Sequence, residues 1–161
     1  MLDIIGLSEV FAHLHVAQYR GRKAPHKAVL LLSVMDLIQS GTIDSPFIYL
    51  SDELVKQFDA VWKYYVGDSP YFKPDICKPF YHLQYESFWR LISRNKRDES
   101  LPYDKVNYTV NYLRDTYECA ILDRWLFDAM QHQDIRGEIR TVLISTYLTE
   151  RPIPDNDIFI A

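Results

Sequence analysis

The chain has 161 residues, 48% of them hydrophobic and 25% charged, and a net charge of −4 at pH 7. That length favours one domain with enough core to do without disulfide or metal staples. The acidic total excludes a protein that coats nucleic acid by charge alone, and no apolar run approaches the roughly 18 residues that a membrane-spanning helix needs.

Beneath the average, the charge is uneven. The first thirty residues carry Arg20, Arg22, Lys23 and Lys27 against Asp3 and Glu9. Residues 71–100 carry Lys73, Lys78, Arg90, Arg94, Lys96 and Arg97 against Asp75, Glu86, Asp98 and Glu99. An acidic body with two basic stretches offers one positive face if the fold joins them. Aromatic residues make up 14% of the chain, twelve of them tyrosines, whose apolar body and polar tip suit recognition surfaces as well as cores. Cys77 and Cys119 are the only cysteines. They lack Cys-x-x-Cys spacing, and the opening MLDIIGLSEV lacks a basic n-region and a long apolar core. The expectation is an intracellular, cytoplasmic protein with reduced thiols and no signal peptide.

In chain order, LSEVFAHLHVAQYRG predicts a helix capped by Ser8 and ended by Gly21. RGRKAPHK follows as a basic loop. HKAVLLLSVMDLIQSG, apolar on all sides at its centre, predicts a buried helix closed by Gly41. A short extended piece, IYL, precedes a helix capped by Ser51, with Asp52 and Glu53 favourably placed on its dipole and Leu54, Phe58, Val61, Trp62 and Tyr65 at helical spacing. DSPYFKPDICKP holds three prolines and predicts irregular chain. FYHLQYESFWRLI alternates as two short strands around Tyr85-Glu86-Ser87. ECAILD is a strand or the lead into DRWLFDAM, capped by Asp123. QDIRGEIRTVLISTYL predicts a final helix with Ile135, Ile139, Val142, Leu143 and Tyr147 on one face. The fold class expected is α+β: a mostly helical single domain with a small antiparallel sheet. TERPIPDNDIFIA reads as a tail or linker.

Catalytic signatures are sparse. His13 and His15, two apart on the first predicted helix, would face different ways and could not grip one metal ion. No Asp/Glu-x-Lys follows Pro74-Asp75 as a PD-(D/E)-x-K nuclease requires, and the histidine-rich unit of an HNH nuclease is missing. Cys77 with His82 is a nucleophile pair on paper, although a cysteine beside an aromatic run usually packs. The five glycines are scattered, without a phosphate-cradling loop. No catalytic residue, metal or cofactor is therefore expected. Binding chemistry remains. RGRKAPHK sets Arg20, Arg22, Lys23, His26 and Lys27 at the mouth of a buried helix, whose free N–H groups favour an anion. Cations there oppose the helix dipole, so the pattern means either tolerance at the surface or an anionic ligand.

APHKAVLLLSVMDLIQSGTI, followed some fifty residues on by PFYHLQYESFWRLI, resembles the sulfur-binding domain of modification-dependent HNH restriction endonucleases, which recognise DNA with a phosphorothioate in its backbone. The likeness covers roughly residues 15 to 150, including the closing IRTVLISTYL. It implies a DNA sulfur-binding domain over 1–150, and a tail at 151–161 leading toward a nuclease domain or subunit. The resemblance implies double-stranded, phosphorothioate-modified DNA as the partner, with Lys78, Pro79, Phe80, Tyr81 and His82 forming the sulfur pocket. His26 and Lys27 match the family's basic pair and would hold the phosphorothioate charge. Arg20, Arg22, Lys23, Arg90 and Arg94 would grip neighbouring phosphates or read bases. Sulfur is larger and a poorer hydrogen-bond acceptor than oxygen, so an apolar dimple disfavours an ordinary phosphate, whose unpaired oxygen would cost about 1–3 kcal/mol. This chain has Lys78 where the family carries an aromatic residue before the proline, and His82 where it carries a small one. Two rival expectations stand beside this one: a protein-interaction or regulatory domain with a tyrosine-rich face, and a nuclease active by itself.

Overall fold

A computed structural model describes residues 4–94 and 105–149. It contains seven α-helices and two small antiparallel sheets, the mixed α+β architecture expected. The expected tail over 151–161, with Lys96 and Arg97, lies outside the described residues.

The centre is α2 (His26–Gln39). Every residue from Lys27 to Met35 is buried, as are Leu37 and Ile38, because its apolar run leaves no polar face to turn outward. It packs against α3 (Asp52–Tyr65), α7 (Gln133–Tyr147) and α4 (Cys77–His82). Ser40 and Gly41 close it: their N–H groups donate to Asp36 O and Ile38 O, and Gly41 takes φ +81°, where a side chain would be strained. On its one half-exposed stripe, Asp36 accepts from Gln57 at 3.0 Å and from Arg140, tying α3 and α7 to α2. The expected cap of α3 is present, with Ser51 Oγ accepting from Leu54 N–H at 3.1 Å.

The first helix departs from expectation. α1 spans Ile4–Ala12, so Ser8 lies within it rather than capping it, and the helix stops well before Gly21. Buried tertiary bonds replace its next turn. Tyr147 Oη donates to Phe11 O at 2.7 Å and accepts from Leu14 N–H at 2.9 Å, drawing the chain off the helix axis and burying Leu14. The basic stretch is a hairpin, not an open loop: β1 (Gln18–Tyr19) pairs with β2 (Arg22–Lys23) around Arg20-Gly21. Both turn residues have positive φ, +52° and +78°, the backbone that a two-residue hairpin turn demands.

The second sheet has the order β3-β5-β4, formed by Phe47–Ile48, Tyr117–Leu122 and Trp89–Ser93. ECAILD is thus its central strand, and a short helix α5 (Val110–Thr116), capped by Thr109, leads into it. The two strands expected over FYHLQYESFWRLI are only one. Residues Cys77–His82 form α4, and Leu83–Tyr85 continue as a 3-10 turn. Asp75 starts the helix, its carboxylate accepting from Cys77 N–H at 2.9 Å, and Pro79 is tolerated because first-turn N–H groups have no helical partner anyway. Asp123 precedes α6 (Arg124–Ala129) as expected, but its carboxylate accepts from the Trp125 indole at 3.2 Å instead of capping the backbone.

Phe58 is fully buried between α2 and α3, stacked on Trp62 at 5.9 Å. Phe58→Ala is expected to remove about 3–5 kcal/mol of stability, whereas Ser51→Ala removes about 1 kcal/mol; urea unfolding of the two variants checks the ordering.

Candidate functional site

The N-terminus of α2, the exit of the hairpin and α4 converge on an open cleft of about 610 Å³. His15, Val16 and Ala17 come from the link after α1, and Ala24, His26 and Lys27 from the hairpin exit and α2. Phe72, Lys78, Pro79, His82 and Tyr85 complete the lining. Helical spacing explains the last set. Positions 78, 79, 82 and 85 recur on one face of a helix that continues as a 3-10 turn, so that face looks into the cleft.

The same geometry removes two expected pocket residues. Phe80 is 1% exposed and packs edge-on against Trp89 at 5.6 Å, so it is core rather than pocket. Tyr81 turns toward Tyr85, Tyr108 and Tyr117. An extended chain would have put 78, 80 and 82 on one face and 79 and 81 on the other; the helix instead groups 78, 79 and 82.

At the base of the cleft lies a buried ion pair. Lys27 Nζ donates to Glu86 Oε2 at 2.7 Å and to the carbonyl of His15, with the two charged side chains only 9% and 6% exposed. Glu86 also accepts from His15 N–H at 3.0 Å, and its other oxygen lies 3.2 Å from His15 Nδ1. Residues 15, 27 and 86 are thereby locked together. His15 stands beyond the end of α1, not on a helix with His13. Breaking such a pair from one side leaves a buried charge unpaired, whereas replacing both partners by apolar groups is often neutral.

Two of the three histidines in the lining, His26 and His82, are neutral at pH 7. Burial lowers the His26 pKa from its ordinary 6.5, outweighing the bond of Nε2 to Lys73 O at 2.7 Å, which fixes the proton on that nitrogen. The His26 ring is wedged against Trp62 at 4.7 Å and Phe72 at 6.1 Å. Burial likewise lowers His82, helped by the positive charges of Lys27 and Lys78; its Nε2 meets Tyr108 Oη at 3.0 Å. Burial pushes the Tyr81 hydroxyl up to about 12. The Cys77 thiol, raised by burial to about 11, stays protonated at neutral pH, which removes the thiolate that the Cys77–His82 pairing would need.

The remaining cations divide. Arg20 sits exposed at the hairpin tip, its guanidinium 5.5 Å from the Tyr19 ring. Arg22 lies 4.1 Å from the Tyr71 ring and Lys23 5.7 Å from that of Tyr147; they line a separate small hollow with those two rings and are not in the cleft's lining. Arg90, exposed on β4 opposite Ile121, is not part of the cleft. Arg94 is bound to Glu118 and, at 2.6 Å, to Arg114 O, lining a separate hollow of about 170 Å³ with Phe80. The structure therefore joins His26, Lys27, Lys78, Pro79 and His82, with the hairpin cations close in sequence to the cleft wall. Glu86, His15, Phe72 and Tyr85 join them without having been singled out from sequence. Among the described residues, no three His, Cys, Asp or Glu side chains gather to hold a metal ion, and no helix is long and apolar enough to cross a membrane. The sequence matches no known family model and no curated protein.

Two predictions follow from these contacts. Glu86→Ala should lower stability by about 3–5 kcal/mol, while the double variant Lys27→Met/Glu86→Leu recovers most of the loss; urea unfolding of single and double variants measures the difference. The lowered histidines make stability depend on pH with a definite sign. The unfolded chain takes up protons first as pH falls below about 6.5, so stability is complete above that value and declines below it until the folded imidazoles titrate. Urea midpoints across this range should fall with acid, and less steeply in His26→Gln and His82→Gln.

Proposed function

We propose that the chain is a DNA-binding module that recognises a phosphorothioate-modified backbone, working in the cytoplasm as the targeting part of a restriction endonuclease whose nuclease activity lies in another domain or subunit. The observation that carries the reading is the convergence of His26, Lys27, Lys78, Pro79 and His82 on one cleft. These residues include the charge-holding pair and three of the five that the family resemblance assigns to the sulfur dimple, Phe80 and Tyr81 being turned away.

The chemistry of the lining agrees with that ligand. Pro79, itself buried in α4, lends the lining only the small open part of a rigid apolar ring without an N–H, beside the apolar side chains of Val16, Ala17 and Ala24. An ordinary phosphate oxygen pressed against such a wall loses water without regaining a donor. Sulfur, the weaker acceptor, loses less. Lys78, exposed at the cleft, and Lys27, with two of its three donors already used, supply charge without flooding the site with donors. The departures Lys78 and His82 fit this scheme: the first is a cation at the rim, and the second is held neutral.

A duplex with one phosphorothioate should bind at least about tenfold tighter than its unmodified counterpart, a difference of about 1.4 kcal/mol. Pro79→Ala should shrink that ratio, and Lys78→Ala should weaken both duplexes alike and flatten the salt dependence by about one contact. Fluorescence anisotropy titrations at several salt concentrations read all three quantities. Equal binding of the two duplexes refutes the sulfur reading; salt-independent binding refutes the phosphate contact.

A further inference from the structure

The cleft is much larger than the group just assigned to it. A phosphorothioate is only a handful of heavy atoms, each with on the order of the 30 Å³ share of a water molecule or less, and the cleft holds about 610 Å³, within the range of sites that enclose a whole small molecule. The excess space is walled by rings. His26 and Phe72 stand on the side of α2 and the loop before α4; His82 and Tyr85 stand on the side of α4 and its 3-10 continuation. His82 and Tyr85 are stacked, with centroids 5.9 Å apart and planes 30° from parallel, and Tyr85 remains 60% exposed. A large aromatic side chain left open to water beside a cavity has free ring surface to offer. The Lys27 and Lys78 cations border the same space.

Flat rings, an apolar lining and adjacent cations match one chemistry: a planar base joined to an anionic backbone. We propose that this part of the cleft is a nucleobase subsite that takes the base of an unpaired nucleotide next to the backbone group held at Pro79 and Lys78. The assignment rests on the backbone reading above. The restriction to an unpaired base follows from magnitudes. Stacking on one aromatic side chain returns at most about what extruding a paired base consumes. A paired base therefore gains nothing by entering, whereas a base already free of its partner gains the full stack. His82, kept neutral, adds no charge repulsion to this ring surface.

The experiment uses the full chain with three fluorescein-labelled DNAs, each with and without one phosphorothioate: a fully paired duplex, a duplex with one unpaired nucleotide 3′ of the linkage, and the single strand. The unpaired forms are expected to bind about tenfold tighter than the paired duplex. Tyr85→Ala should abolish that advantage while keeping the sulfur preference, and Tyr85→Phe, which retains the ring, should keep both. Thermal melting of both variants, altered at an exposed position, confirms that they fold. Equal affinity for paired and unpaired DNA overturns the subsite, as does an equal loss on all three DNAs in Tyr85→Ala. Deoxyadenosine 5′-monophosphate competing as well as the strand would overturn the assignment to a strand. A Tyr85-dependent preference for unpaired DNA with no response to sulfur supports the subsite and sinks the sulfur reading alone. No binding to any of the DNAs overturns both.

Discussion

One buried ion pair, Lys27 with Glu86, holds the cleft together. Lys27 lies in the first turn of α2, where the helix dipole disfavours a cation, and it is buried to 7% exposure. Either circumstance alone would argue for another residue. Glu86 offsets both by bringing a carboxylate to 2.7 Å, and the His15 carbonyl takes a second donor. The three residues belong to segments that share neither a helix nor a sheet: the link after α1, the start of α2 and the chain leaving the 3-10 turn. Their network is therefore what fixes the distance between the cleft's walls. The same pair holds a lysine at the cleft wall with its charge balanced.

That arrangement sets the electrostatic character of the site. With Lys27 balanced by Glu86 and both His26 and His82 neutral, the lysine charge left to the lining is that of Lys78. The hairpin cations lie outside its lining and are engaged with Tyr19, Tyr71 and Tyr147. A site of this kind does not compete for nucleic acid by counterion release alone, which accords with a chain of net charge −4. On the proposed reading it would discriminate by what an incoming group loses when its water is stripped. Such selection needs a lining with few spare donors, and satisfying Lys27 internally reduces their number.

Much of this fold is written in local signals. The continuous apolar run of α2, the Ser51 cap and the glycine at 41 are each decided by neighbours in sequence, and the structure keeps all three. Of the site, His26, Lys27, Lys78, Pro79 and His82 were legible as motif residues. The hairpin, the early end of α1 and the helicity of 77–82 were not, because remote partners decide them. Tyr147 ends α1 from more than a hundred residues away. The alternation in FYHLQYES looks like strand because period two and the first turns of a helix cannot be told apart over so short a run. Glu86 was hidden for a related reason: an acid between Tyr85 and Ser87 looks like a solvated turn until a buried lysine is seen opposite it.

The helicity of α4 changes what its N-terminus can offer a ligand. A helix start is ordinarily an anion site, since its first N–H groups lack partners. Here they are withdrawn one by one. Asp75 accepts from Cys77 N–H at 2.9 Å and from Lys78 N–H at 3.4 Å; Pro79 has none to give; Phe80 N–H already bonds to Ile76 O at 3.0 Å. The wall that α4 lends to the cleft thus has its cation on the flexible side chain of Lys78 and no free first-turn backbone donor. An oxyanion that relied on backbone hydrogen bonds would find none there, whereas a group content with charge and apolar contact would. The proline matters less as an irregularity in the chain than as the last step in closing this helix end to oxygen.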